Sequence, residues 1–276
     1  LLNIVLNPIL IFGFLFIPAF GVKGIGIATI ISQFVSFLII LIKVLKNPRV
    51  LKITNEILIP KFLYFKNIFF QSMPITVSIC GYALAAAIIF TYVGQSGEYA
   101  VAGYGVGTRI EQVVLLPILG INTAIISIIA QNIGAKYYNR VEQSYYTSIK
   151  YGFFIMLIAG VVIFISADIV PKLFSSNNDV VMHGSIYLKI SAFILPSYPI
   201  FFLSNGFFMA LKKSEKAMFN NIIRNVVVPI MSFYIAKSIN ADFKTFFYIW
   251  GLFQWLISLV LIIYVRYYIK HKLVNV

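Results

Sequence analysis

An all-α, polytopic membrane bundle of about eight spans is the fold class this sequence predicts, and three observations predict it. Of the 276 residues, 61% are hydrophobic and only 11% charged, with a mean hydropathy of +0.94. Apolar stretches of roughly 18 to 25 residues, enough to cross about 30 Å of hydrocarbon as helix, recur along the chain. Runs such as FVSFLIILI and LVLIIYV are apolar on every side, where the strands of a membrane barrel would alternate. A helix satisfies its own backbone polar groups in lipid, so the spans are read as helical.

Taken in order, the first span is expected over residues 4–17, with Pro8 inside it, and the second over 24–42, ending at Lys43. From Lys43 to Phe70 basic and apolar residues mix, which reads as a cytoplasmic linker with helix lying in the interface, lysines toward headgroups. Six further spans are expected over 73–94, 103–133, 149–167, 186–211, 217–236 and 245–265. Pro117 with Gly120, and Pro196 with Pro199, fall within two of them and predict kinks. Cys80 is the only cysteine, which excludes an internal disulfide and predicts plain core packing.

The net charge of +14 is distributed by side. One set of span ends carries Lys43, Lys46, Arg49, Lys52, Lys61, Lys66, Lys136, Arg140, Lys150, Lys212, Lys213, Lys216, Arg224, Arg266, Lys270 and Lys272, sixteen of the 22 basic residues. The remaining six are Lys23, Arg109, Lys172, Lys189, Lys237 and Lys244. By the positive-inside rule the rich side, with the linker and the C-terminus, is cytoplasmic. The basicity is then a topology signal, not a nucleic-acid footprint, which needs a soluble basic face with interleaved aromatics.

The sequence carries an internal repeat. Asn3-Ile-Val-Leu-Asn7 resembles Asn221-Ile-Ile-Arg-Asn225, each followed by a proline, and the run from Gln33 resembles the run from Gln254. The offsets are nearly constant, 218 residues from Asn3 to Asn221 and 221 from Gln33 to Gln254. Such duplicated units are a habit of transporters. If spans one and two match spans seven and eight, the unit is six spans long, and the chain is expected to be the C-terminal part of a protein of about twelve.

Polar groups in hydrocarbon must find partners or face a wet cavity. Asn3 and Asn7 are four apart on one helix face, next to the carbonyl that Pro8 leaves unpaired. They suit a cation or substrate cradle, or interhelical glue; Thr29 and Gln33, also four apart, are candidates for the same place. Arg109-Ile-Glu111-Gln112 holds the one carboxylate clearly inside an apolar stretch. Glu111 either meets a cationic substrate or a proton, or pairs with a neighbouring helix. The eight acids form no close pair for acid–base or metal-assisted work, and no phosphate-binding G-x-x-x-x-G-K-[ST] loop exists. An enzyme is therefore not expected.

LNIVLNPILIFGF, GVKGIGIATIISQ, MPITVS and above all GYGVGTRIEQVVLLPILGINTAIISIIAQNIGAKYYNR resemble the C-terminal two-thirds of a MATE (multidrug and toxic compound extrusion) transporter. The resemblance implies a twelve-helix, two-lobed, monomeric antiporter of the cell inner membrane. It would export cationic, amphipathic small molecules in exchange for Na+ or H+ and need no cofactor. Residues 1–46 would close the first lobe, 47–68 would link, and 69–276 would form the second. In the family's first-lobe cation site an Asn and an Asp four apart precede a proline, and a Thr follows on the next helix. Asn3, Asn7 and Thr29 match those places, with Asn7 standing where the acid usually is. Tyr82 falls at the position of a second-lobe Glu, a departure from the NorM-like pattern that leans to the DinF-like branch. The expected second-lobe cavity residues are Tyr82, Glu111, Gln112, Asn205, Asn221 and Asn225, the last two from the internal repeat. The rival reading is a lipid-linked oligosaccharide flippase, which several cavity Arg or Lys would support; only Arg224 and Lys189 qualify.

Overall fold

In the computed structural model, which describes residues 2–14, 18–46 and 62–272, the apolar runs become α-helices joined by short turns. In order these are α1 (Leu2–Phe12), α2 (Val22–Leu45), α3 (Phe62–Gly94), α4 (Glu98–Gly134), α5 (Tyr138–Ser166), α6 (Asn178–Ile194), α7 (Tyr198–Ala210), α8 (Ser214–Ile222), α9 (Val228–Ser238) and α10 (Phe243–Lys272). Among the described residues six helical stretches are long and apolar enough to cross a membrane, one of them α6 and α7 together over Asn178–Ala210, and α1 is a shorter apolar helix. Each of the eight expected spans falls on a helical stretch. Large apolar side chains point outward along them, such as Ile30, Ile40, Ile158, Ile165 and Ile263, all exposed; in a bilayer that surface meets lipid rather than water.

Proline sets the breaks. Between α6 and α7 a 3-10 turn, Leu195–Ser197, carries Pro196, and Pro199 opens α7, so the expected interruption is present. α4 in contrast runs through Pro117 as one helix. The seventh span is α8, a π turn at Ile223–Val227 and α9. Pro229 has no N–H to give the Asn225 carbonyl one turn back, and a wide π turn there is a natural response.

The chain divides into two compact units, Leu1–Tyr64 and Phe65–Val276. In the first, α1 ends at Phe12 rather than at 17, before Gly13 with φ 80°. The backbones of α1 and α2 touch: a Cβ on Gly24 would overlap the Leu10 carbonyl, and Phe20 N–H donates to Leu10 O at 2.9 Å. In the second unit α4 packs on α5, α6 and α7, and α10 on α6, α7 and α9. One buried cluster contains Tyr104, Tyr187, Tyr198, Phe246 and Phe247, a second Tyr145, Phe207, Phe208 and Tyr268.

Three expectations change. Residues 47–61 of the expected linker lie outside the described residues, and 62–68 already belong to α3. Cys80 is exposed on α3 rather than packed in a core. Arg224 is no headgroup-side cation; it is buried because the π turn carries it among aromatic rings.

Candidate functional site

Small residues bring α4 and α6 close enough to make the site. Gly103, Gly107 and Glu111 are spaced by four on α4, and Tyr187 and Ser191 by four on α6, so each set forms one stripe. A Cβ on Gly103 would lie 2.6 Å from the Val180 carbonyl oxygen, and one on Gly107 would overlap the Tyr187 ring. The bare backbone at these positions is what lets the stripes meet, as small residues do between membrane helices.

Glu111 is the result. Its carboxylate is buried and accepts three hydroxyls, from Tyr187 and Tyr198 and from Ser191 at 3.0 Å. Of the two readings of Glu111, partnership with neighbouring helices is the one the packing displays, although the residue also lines a cavity of about 370 Å³ in the second unit. Arg224 reaches the same cavity. Its guanidinium lies over the rings of Phe201 at 4.1 Å, Tyr198 at 4.5 Å and Phe202 at 5.6 Å, a cation–π arrangement. Tyr198 thus links acid and base, its hydroxyl on Glu111 and its ring under Arg224.

Four of the six expected second-lobe residues, Tyr82, Glu111, Gln112 and Asn225, line this cavity. Asn205 and Asn221 do not: Asn220 donates to Asn205 at 3.0 Å and Asn205 to Asn221 at 3.4 Å, joining α7 to α8 away from the cavity. The wide turn at 223–227 breaks the four-residue register that Asn221 and Asn225 would share on a plain helix. Tyr104, Tyr187, Ser191, Tyr198, Trp250 and Gln254 were not expected as site residues. The spacings Gly103-Gly107-Glu111 and Tyr187-Ser191 were the available signal, but only packing shows that they face each other.

In the first unit the opening amides do meet. Asn7 Nδ2 donates to Asn3 Oδ1 at 2.9 Å, Asn3 Nδ2 to Thr29 Oγ1 at 3.3 Å, and Thr29 to the Ile25 carbonyl at 2.8 Å. Asn7 Oδ1 is buried with no partner, a free oxygen of the kind a small cation needs. Gln33 is exposed and stays apart. Lys189 does not reach the cavity either. It pairs with Asp168 at 2.7 Å, and that contact with the Ser185 hydroxyl holds the Asp168 carboxyl below its ordinary range.

Residues 74–235, more than half of the chain, match the MatE family model. The chain belongs to the MatE family. Its members are transporters rather than enzymes. Among similar proteins are the probable multidrug resistance protein YpnP of Bacillus subtilis, 29% identical over 81% of this chain and 49% of that protein. The multidrug export protein MepA of Staphylococcus aureus is 26% identical over 83% and 50%, and an FAD transporter of Shewanella oneidensis is 25% identical over 69% and 42%. The chain spans about half the length of these relatives. An outward-facing multidrug resistance MATE transporter superposes with a TM-score of 0.88 at 25% identity, over 98% of this chain and 60% of its own. This MatE chain is thus a multi-pass membrane protein of a transporter family.

Proposed function

We propose that this MatE chain supplies the second lobe, and the last two helices of the first, of a monomeric secondary-active efflux antiporter. It exports amphipathic small molecules in exchange for Na+ or H+ by alternating access. The observation that carries the reading is the second unit's cavity, walled by aromatic side chains and holding a hydroxyl-bound carboxylate and a buried guanidinium. An amphipathic ring system finds apolar area there and a few polar groups to orient it, as transport and ligand sites require. Family membership and the multidrug relatives favour this over the lipid-linked oligosaccharide flippase.

Asn3, Asn7 and Thr29 are the proposed ion site, because their side chains meet in one hydrogen-bonded chain and Asn7 Oδ1 is free. A neutral amide oxygen can ligate Na+ but cannot titrate, so proton coupling would need an acid elsewhere. Tyr82, Glu111, Gln112 and Asn225 are the proposed cargo residues. The cationic cargo that the resemblance implies would rest on Glu111, whose carboxylate already accepts three hydroxyls. We place the C-terminus on the cytoplasmic face of the inner membrane, on the asymmetry of basic residues. The test is dye flux in proteoliposomes of the intact protein under an imposed Na+ or H+ gradient. Gradient-dependent export is expected; its absence across a panel of cationic, neutral and anionic dyes would overturn the antiporter.

A further inference from the structure

The second unit's cavity presents buried hydrogen-bonding atoms that meet nothing in the protein. Arg224 Nη1, Trp250 Nε1, Asn225 Nδ2 and Gln254 Oε1 are each buried and unpartnered, and all four residues line the cavity while being only 6%, 8%, 7% and 2% exposed. Buried polar groups are nearly always paired, and an orphan costs about 1–3 kcal/mol. Four orphan atoms on residues that line one cavity point to something that fills it.

Their chemistry says what. The two amides can turn either end toward a ligand, but a guanidinium and an indole only donate. The acid on the cavity wall, Glu111, is already committed to Tyr187, Ser191 and Tyr198. Among the described residues the ion pair is Lys189 with Asp168, and Arg224 takes part in none. Its plane is instead fixed by the rings of Tyr198 and Phe201 beneath it. The free hydrogen-bonding capacity at Arg224 and Trp250 is therefore donating, and the guanidinium there makes no direct ion pair.

We propose that the cavity takes an aromatic organic anion, with the carboxylate or sulfonate received by Arg224 together with Trp250 and Asn225, and its rings against Phe90, Tyr104 and Phe202. This rests on the transport reading above and deepens it, since it assigns the sign of the cargo. It is the opposite of the cationic cargo that the family resemblance implies.

The experiment compares fluorescein, an aromatic anion, with rhodamine 123, a cation on the same xanthene frame, by fluorescence anisotropy on the intact protein in detergent. Fluorescein should bind roughly tenfold or more tightly, the worth of a hydrogen-bonded charge. Arg224→Gln should erase the preference. Gln254→Glu, which leaves Arg224 in place and adds an acid to the wall, should do the same and serves where the first variant does not fold. Tighter binding of rhodamine 123, or a fluorescein affinity indifferent to both variants, would overturn the proposal. Gradient-driven flux of the two dyes is read separately. Rhodamine 123 exported in preference to fluorescein sinks the polarity and keeps the antiporter, whereas fluorescein bound but never driven by a gradient keeps the polarity and sinks the antiporter.

Discussion

The polar group of the first unit and that of the second are built in different ways from similar material. Asn3, Asn7 and Thr29 meet through a four-residue spacing on α1 and one contact to α2, and remain half-buried. Glu111 meets Tyr187, Ser191 and Tyr198 across 76 to 87 residues of chain, and is buried. The first group leaves an oxygen free; the second leaves its acid fully engaged. A site made from one helical stripe stays open to a ligand because it costs the fold little. A charge sunk between three helical elements must be satisfied by the protein itself, or the helices cannot pack.

The largest effect should come from removing the engaged acid. Glu111→Ala strands three hydroxyls, at roughly 1–2 kcal/mol each in a membrane bundle. The melting temperature of the purified protein should fall by more than for any other variant proposed here. Glu111→Gln keeps an acceptor and should recover most of that loss. If Glu111→Ala melts like wild type, the acid is not structural and the contrast between the units collapses.

Gly107→Ala attacks the same group from its backbone side, since the added methyl overlaps the Tyr187 ring. Overpacking of this kind costs about 1–3 kcal/mol. Because Tyr187 can only retreat by loosening its bond to Glu111, the variant should lower both stability and cargo affinity. Gly120→Ala, where a Cβ meets nothing within 4 Å, is the control and should leave both near wild type.

In the first unit Asn7→Ala should cost the fold only about 0.5 kcal/mol, one side-chain hydrogen bond to Asn3 within α1, yet impair gradient-coupled transport strongly. Asn7→Asp adds a titratable charge and should make transport or ion affinity more pH-dependent. Thermal melting and efflux measured on the same preparations separate a ligand site from glue. Equal loss of both would make the two units alike in kind and end the comparison.

The smallest effect belongs to an acid outside the membrane. Asp168 pairs with Lys189 in the open, its side chain 63% exposed, and such pairs contribute about 0–1 kcal/mol. Its carboxyl is held below the ordinary range, so the contribution is complete above the unfolded carboxylate's pKa. It is lost as pH falls through the lower folded value. Asp168→Asn should therefore shift melting slightly at neutral pH and not at all in strong acid. A shift as large as that of Glu111→Ala would mean that burial is not what separates the two acids.

The spans were legible because hydrophobic length is a local property: each expected stretch falls on a helix, and Pro196 and Pro199 mark a real break. The amide pair was legible because i and i+4 are neighbours on any helix. Pro117 does not break its helix, since a proline in a long helix flanked by packing partners need not interrupt it. Asn221 falls outside the cavity lining that Asn225 joins, because the repeat argument carried over a helical register that the π turn at Ile223–Val227 does not keep.

By itself, then, the sequence determined that the chain crosses a membrane as helices and where each helix runs, and it named the few polar residues that must find company there. Both follow from composition within a window of about 20 residues, the scale on which lipid selects backbone structure. Which polar residues meet was decided only by tertiary structure. Bare glycines at 103 and 107 admit α6 against α4 so that Glu111 reaches two tyrosines and a serine, and a π turn swings Arg224 from its apparent place at a headgroup into a ring-lined cavity. Those outcomes depend on the distance between helices and on the rotation of one helix about its axis. No single stretch of sequence encodes either, because both are set by how two surfaces pack.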